Sequence, residues 1–449
     1  REPWCACPLT SGMGRKKWQG FVMSLQNKPV CMDIKGKKLL VLGAYASETE
    51  IINEAHKMGL IVIVTDNHEN WNNAPAKLMA EAWNVSWSDI DALRKKCKDE
   101  NVDGIMAGFS ERRIYFAQEL SEILGKPFYA NGTKLNVIID KILFKQACID
   151  SGVTVPKAYR YGDEIEFPVI VKPADNGGSR GITVCHRQEE FDAAYQKALD
   201  ASDNKTVVIE QYIVADEIMV YFTVHNGIAD VSAMCDRYMH HFGTDITQLP
   251  IGYYYPSKHL EVFMKYNLER FRKLIRSLGI RNGLIAFQSF VVGNDVIPFD
   301  PTYRLDGTMT YHICEAITGS NVLSMLIRHS LTGRMGDDLS ITKIEQPRFD
   351  KVGFELPILL RKGVIKKISG FDEVKHLKPV IHVYQGHFEG ETMTKVADFS
   401  QILCRIHLVA NDIQEIKASV RKIYELLRVY DEKGEDMIIC RINEARIGC

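Results

Sequence analysis

The stretch VKPADNGGSRGI, residues 171–182, decides how the chain is read. The apolar and β-branched run EFPVIV leads into Lys172, and the glycines begin five residues later. Glycines beside a lysine suggest a phosphate cradle, because backbone N–H groups approach an anion closely where no Cβ intervenes. The order of residues excludes two familiar fingerprints. The P-loop pattern GxxxxGK[ST] places its lysine after the glycines, and GxGxxG spaces its glycines differently. Here the lysine comes first, at a strand end, and Gly177, Gly178 and Ser179 would form a flap beyond it.

Working outward, strands and helices alternate from Lys37. KKLLVLGA reads as a buried strand, SETEIINEAHKMG as a helix stopped by Gly59, and LIVIVTD as a second strand ending in Asp66. A helix is predicted over Asp89–Asp99, a strand over Val102–Ala107 and a helix over Glu111–Leu124. This period implies a parallel, doubly wound sheet. Asp66 sits where a dinucleotide fold holds ribose, but the turn GAYASE has a single glycine, so that fingerprint fails. A second region opens at Asp140-Lys141 and continues through the quoted strand, a helix and the strands TVVIEQYI and IMVYFTVHNG, which suggests a small α+β lobe. A long helix is predicted over Leu260–Leu278, then a strand pair turning at Gly293-Asn294-Asp295. Short strands and one helix fill the end of the chain. The expected division is 1–31 as an extension, 32–130 as the doubly wound domain, 131–345 as a two-lobed domain with its small lobe at about 157–225, and 346–449 as a smaller α+β domain.

The 449 residues allow roughly three domains of about 150 residues. A content of 46% hydrophobic and 25% charged residues is ordinary for a globular enzyme. With 56 basic against 57 acidic residues, the net charge of −1 gives no electrostatic reason to expect nucleic acid or an anionic membrane as partner. No apolar run reaches the roughly 20 residues that span a bilayer. Eleven cysteines are scattered from Cys5 to Cys449 without a CxxC, which points to buried thiols in a reducing, cytoplasmic compartment. The extension ahead of Met32 has neither periodicity nor the apolar core of a secretion signal.

Four elements recur in one order: Asp140-Lys141 opening a helix; Lys172 with NGGSRG; VVIEQYIVADE at 207–217; and Gln288 on one strand with Asp300-Pro-Thr-Tyr-Arg304 ending the next. Each alone has a plain structural reading, as a helix cap, a turn, a strand face or an ion pair with Asp306. Together they resemble the ATP-grasp superfamily over roughly residues 36–449, closest to its carboxylate–amine and amino-acid ligases and its carbamoyl-phosphate-synthase-like members. The resemblance implies a doubly wound leading domain, two α+β lobes gripping ATP, and a small trailing α+β domain. It also assigns roles. Lys141 and Lys172 would meet the α- and β-phosphates, and Gly177, Gly178 and Ser179 the β- and γ-phosphates. Glu210 with the backbone of Gln211, Tyr212 and Ile213 would meet the adenine edge, and Glu217 both ribose hydroxyls.

In this resemblance the metal position holds Gln288, Asp300 and Thr302, where the family commonly has glutamate, glutamate and asparagine. Oxygen ligands suit Mg²⁺, which needs only one or two carboxylates beside ATP phosphates and water. One ion is the safer expectation over two, with Mn²⁺ chemically admissible and Asp306 or Asp295 as further carboxylates. Arg304 would stabilise the transferring phosphate or an acyl phosphate. Arg180 and Arg237 are weaker candidates for a substrate carboxylate, and His240-His241 lacks zinc-ligand spacing. The implied function is an ATP-dependent ligase joining a small-molecule carboxylate to an amine, with a homodimer compatible. The alternatives are carbamoyl-phosphate-like or carboxylase chemistry on bicarbonate, and an ATP-binding protein that has lost catalysis.

Overall fold

The computed structural model describes residues 33–69, 74–174, 181–243, 248–336 and 341–449. The expected extension at 1–31 lies outside the described residues, as do Gly177, Gly178, Ser179 and Arg180. Residues Ile34–Cys449 form one compact unit.

Its first layer is a four-stranded parallel sheet in the order Glu81–Trp83, Ile61–Thr65, Lys38–Leu42 and Gly104–Met106. Leu39, Leu40, Val41 and Leu42 are all fully buried, as a strand covered on both faces requires. The helices Glu48–Lys57 and Ile90–Asp99 connect strands of this sheet, and Glu111–Leu124 follows its last strand. Asp89 caps the second helix by accepting from Ala92 N–H, and Gly125 ends the third in the left-handed region at φ 64°. Strand and helix therefore alternate as the sequence predicts.

A second, antiparallel four-stranded sheet comprises Ala158–Tyr159, Val207–Gln211, Val169–Pro173 and Thr183–Cys185 in that spatial order. With the helix Phe191–Ala201 it closes a core of its own around Val169, Val171, Phe191, Ala198 and Ile209. This lobe is smaller than the sequence suggests. The strand Asp216–His225, read from sequence as part of it, pairs instead with Ile228–His241 on one side and Gly283–Val292 on the other. Strand periodicity says which residues are apolar but not which neighbour receives them.

Those strands are central in a nine-stranded antiparallel sheet that also takes in Asp295–Thr302, Gln248–Tyr255, Val352–Leu360, Ile402–Ala410, Val380–Gln385 and Ile438–Ile439. The strands after residue 346 thus continue this sheet, joined through Tyr253 opposite Glu355. The helix predicted over Leu260–Leu278 is two, Leu260–Tyr266 and Leu268–Ser277. Asn267 breaks it, because its amide clamps the facing hairpin: Nδ2 donates to Asn294 O at 2.9 Å and Oδ1 accepts from Val296 N–H at 3.1 Å. Cys97, Cys148, Cys185, Cys235, Cys314 and Cys404 are buried free thiols, as expected. Among the described residues no helix is long and apolar enough to cross a membrane.

Candidate functional site

The strand Val207–Gln211 belongs to the small sheet and Asp216–His225 to the large one, so residues 212–215 carry the chain from one lobe to the other. A cleft of about 750 Å³ opens along this crossing. Ligand pockets run to about 300–1,000 Å³, so the space suits a nucleotide-sized molecule. Its lining brings together Lys141, Lys172, Glu210, Gln211, Tyr212, Ile213, Glu217, Arg237 and Asp300, nine candidate site residues singled out by sequence. Apolar walls come from Ile170 and Ile182 on the small lobe and from Phe290 and Phe299 on the large one, the two rings 4.5 Å apart.

Lys172 lies opposite Val208 in the small sheet, which makes Glu210 its diagonal neighbour on the same face. The two form an ion pair at 2.8 Å. Glu210 also meets Lys145, which stands one helical turn beyond Lys141 on the helix Lys141–Ser151. Burial alone would raise the Glu210 carboxyl, but Lys172 and Lys145 outweigh it and hold it below the usual range. Both oxygens of Glu210 are therefore engaged with cations, which differs from the adenine-facing role expected from sequence. Its observed work is to anchor Lys172 and Lys145 at the cleft. Lys145 was missed, although its spacing of four from Lys141 places both on one helix face. Asp140 caps that helix, accepting from Ile142 and Leu143 N–H.

Glu217 receives Arg237 Nη1 at 2.7 Å on one oxygen and Gln248 Nε2 at 2.6 Å on the other. Arg237 is directly opposite it in the sheet. A carboxylate has about four lone-pair sites, so two bound donors leave acceptor capacity for a ligand hydroxyl. Gln248 carries no motif that would have marked it.

Asp300 faces the cleft from the large sheet, directly opposite Gln288, whose Nε2 donates to it at 3.2 Å. Asp300 is open to the cleft but crowded by protein. That crowding pushes its carboxyl up, the nearby Glu111 adds to it, and Arg304, Lys141 and Arg237 oppose it. Thr302 is buried opposite Ala286 and takes no part in the lining. Asp295 pairs with Arg270 at the far hairpin, and Asp306 is buried among Tyr221 and Thr308. Asp300 and Gln288 carry oxygen donors of the kind a divalent ion takes. Arg304 also stands outside the lining; its guanidinium bonds Glu111 at 2.6 Å, at the start of the helix Glu111–Leu124.

Comparison with known proteins agrees with this geometry. Residues 153–247, which carry the small lobe and the crossing, match the family described as D-ala D-ala ligase C-terminus. Over nearly the whole chain, the structure is similar to the L-amino acid ligase from Bacillus licheniformis, with a TM-score of 0.72 and 18% identity, covering 89% of this chain and 99% of that one. These matches agree with the ATP-grasp resemblance of the sequence. Among curated proteins, the chain is 38% identical over 105 residues to the D-alanine–D-alanine ligase of Fusobacterium nucleatum subsp. nucleatum, covering 23% of this chain and 34% of that protein. It is 28% identical over 201 residues to the formate-dependent phosphoribosylglycinamide formyltransferase of Prochlorococcus marinus subsp. pastoris, covering 42% of this chain and 50% of that protein. The chain therefore spans between a third and a half of the length of these two curated relatives.

Proposed function

We propose that this protein is an ATP-dependent carboxylate–amine ligase. The observation carrying the proposal is the convergence, in one interlobe cleft, of Lys141 and Lys172 with Glu217 and, across from them, Asp300. The names of both curated relatives include a small carboxylate or its amino acid, D-alanine and formate.

ATP enters with its base between Ile170 and Ile182 on one lobe and Phe290 and Phe299 on the other, beside the backbone of Gln211–Ile213. Glu217 accepts from the ribose, and Lys141 and Lys172 neutralise the phosphates. Gly177, Gly178 and Ser179 belong to the flap expected over the β- and γ-phosphates. Mg²⁺ bound at Asp300 and Gln288 would supply neutralisation of the β- and γ-phosphate oxygens. A carboxylate oxygen of the acid attacks the γ-phosphorus, the bond to the β-phosphate oxygen breaks, and ADP leaves an acyl phosphate. Arg304, released from Glu111, stabilises the charge on that phosphate. The amine nitrogen then attacks the acyl carbon, inorganic phosphate departs, the nitrogen loses its proton to solvent, and an amide remains. The steps need positioning and charge neutralisation rather than a protein nucleophile.

The test is phosphate release from ATP over a panel of carboxylic acids paired with amines. Release that requires both an acid and an amine, with an amide as product, supports the ligase. Tight ATP binding without such release over a broad panel defeats it and leaves the ATP-binding protein without catalysis.

A further inference from the structure

Three segments remote in sequence meet away from the nucleotide cleft. Glu50 stands in the first turn of the helix Glu48–Lys57, His312 is the second residue of the helix Tyr311–Thr318, and His382 lies on the strand Val380–Gln385. Glu50 Oε2 is 2.8 Å from His312 Nε2, and Glu50 Oε1 is 3.3 Å from His382 Nε2. The two imidazoles stack, with centroids 3.7 Å apart and planes at 19°. One donor atom from each residue lies within 4.8 Å of the other two.

An ordinary ion pair does not explain this arrangement. Two protonated imidazoles at that stacking distance would repel, so one carboxylate and one proton account for a single ring. The second nitrogen, His382 Nε2, is a buried atom with no well-aligned hydrogen-bond partner among the described residues, despite its proximity to Glu50. Leaving such a group unsatisfied costs about 1–3 kcal/mol. A cation held by all three side chains would satisfy it. With metal–ligand distances of about 2.0–2.2 Å, tetrahedral ligand atoms stand about 3.3 Å apart. The observed 2.8 and 3.3 Å separations need only a small opening to reach that spacing.

We infer that Glu50, His312 and His382 form a binding site for a divalent transition-metal cation, with Zn²⁺ as the cation the donor set favours. Two imidazole nitrogens and one carboxylate oxygen suit zinc, whereas Mg²⁺ prefers oxygen alone. Three protein ligands leave a fourth position open for water or a substrate group. His407 backs the pair, its ring centroid 5.5 and 5.6 Å from the other two. It donates from Nε2 to Thr308 O at 2.7 Å, which fixes the ring at the cluster's buried side.

The experiment uses the full chain, dialysed against buffered free Zn²⁺ in the presence of excess Mg²⁺, with bound zinc measured by atomic emission and affinity by competition with a chelating dye. Wild type is expected to retain about one zinc per chain, as one closed ligand set holds one ion. Glu50→Gln and His382→Gln are expected to lose affinity by at least about 100-fold, the upper figure for loss of a mere outer-shell partner. Thermal melting of the zinc-free chains and ATP affinity, both unchanged in His382→Gln, exclude unfolding as the cause. Equal zinc content in wild type and a folded His382→Gln variant, or no retained zinc in wild type, overturns the site. Failure here leaves the ligase proposal untouched, because the readout is zinc and not turnover.

Discussion

Replacing Lys172 by methionine keeps the aliphatic stem and removes the ammonium 2.8 Å from Glu210. The Lys145–Glu210–Lys172 group carries a net charge of +1, so the variant presents a neutral Lys145–Glu210 pair to the triphosphate. The lost charge-assisted bond is worth about 1.5–3 kcal/mol. At about 1.4 kcal/mol per decade, the dissociation constant for Mg-ATP should rise about 10- to 150-fold. Because Glu210 keeps Lys145 as partner, no buried carboxylate is stranded, and thermal melting should change little. A second change sharpens the reasoning. Adding Glu210→Gln to the Lys172→Met background returns the group to +1 through Lys145, so part of the lost affinity should come back; neighbours in one network couple by about 0.5–3 kcal/mol. Isothermal titration of the two single variants and the double variant measures both effects. An affinity for Lys172→Met within about twofold of wild type, less than about 0.5 kcal/mol, would refute the placement of phosphates against this lysine.

Arg304→Gln should lower turnover about 10²–10³-fold while leaving the ATP dissociation constant near wild type, since the side chain stands outside the cleft lining and acts only on developing charge; a matching loss in ATP binding would place it with the ground-state ligands instead. Burial pushes the Glu355 carboxyl from 4.5 up to about 7 against the pull of Arg405. The folded chain therefore holds this proton longer than the unfolded one, and the stability it contributes is full below about pH 4.5 and lost as pH climbs toward 7. Melting temperatures from pH 5 to 7 should fall less steeply in Glu355→Gln than in wild type, and parallel curves would count against the assignment.

Local signals carried the site as far as local signals reach. Lys172 was legible because a strand ending in lysine and followed by glycines is rare chemistry at one point of the chain. Asp140 and Gly152 marked the helix that presents Lys141, and that helix also presents Lys145 at a spacing the sequence displays. Glu210 was legible as a cleft residue but not in its role, because one partner, Lys145, sits 65 positions away on a helix and the other, Lys172, on an adjacent strand. Register decides that a carboxylate meets a diagonal lysine, and register is not written in either strand alone. The same limit explains the strand Asp216–His225, whose alternation fits either lobe until Gly283–Val292 claims its edge. Asn267 shows the converse: a helical pattern continued through it, and a hairpin amide on another element stopped it.

The Glu50–His312–His382 group lies wholly on the illegible side. Glu50 reads locally as favourable charge in a first helical turn, and each histidine as an isolated polar residue in an apolar element. Their meeting depends on the parallel sheet, the large antiparallel sheet and the strands after residue 346 packing in one arrangement, with Glu50 and His312 262 positions apart. A cation there would tie those three segments together, and zinc occupancy would stabilise the packed state over any in which they separate. Adding Zn²⁺ should therefore raise the melting temperature of wild type and not of a folded His382→Gln variant, whereas Mg²⁺ alone should leave the difference between them unchanged.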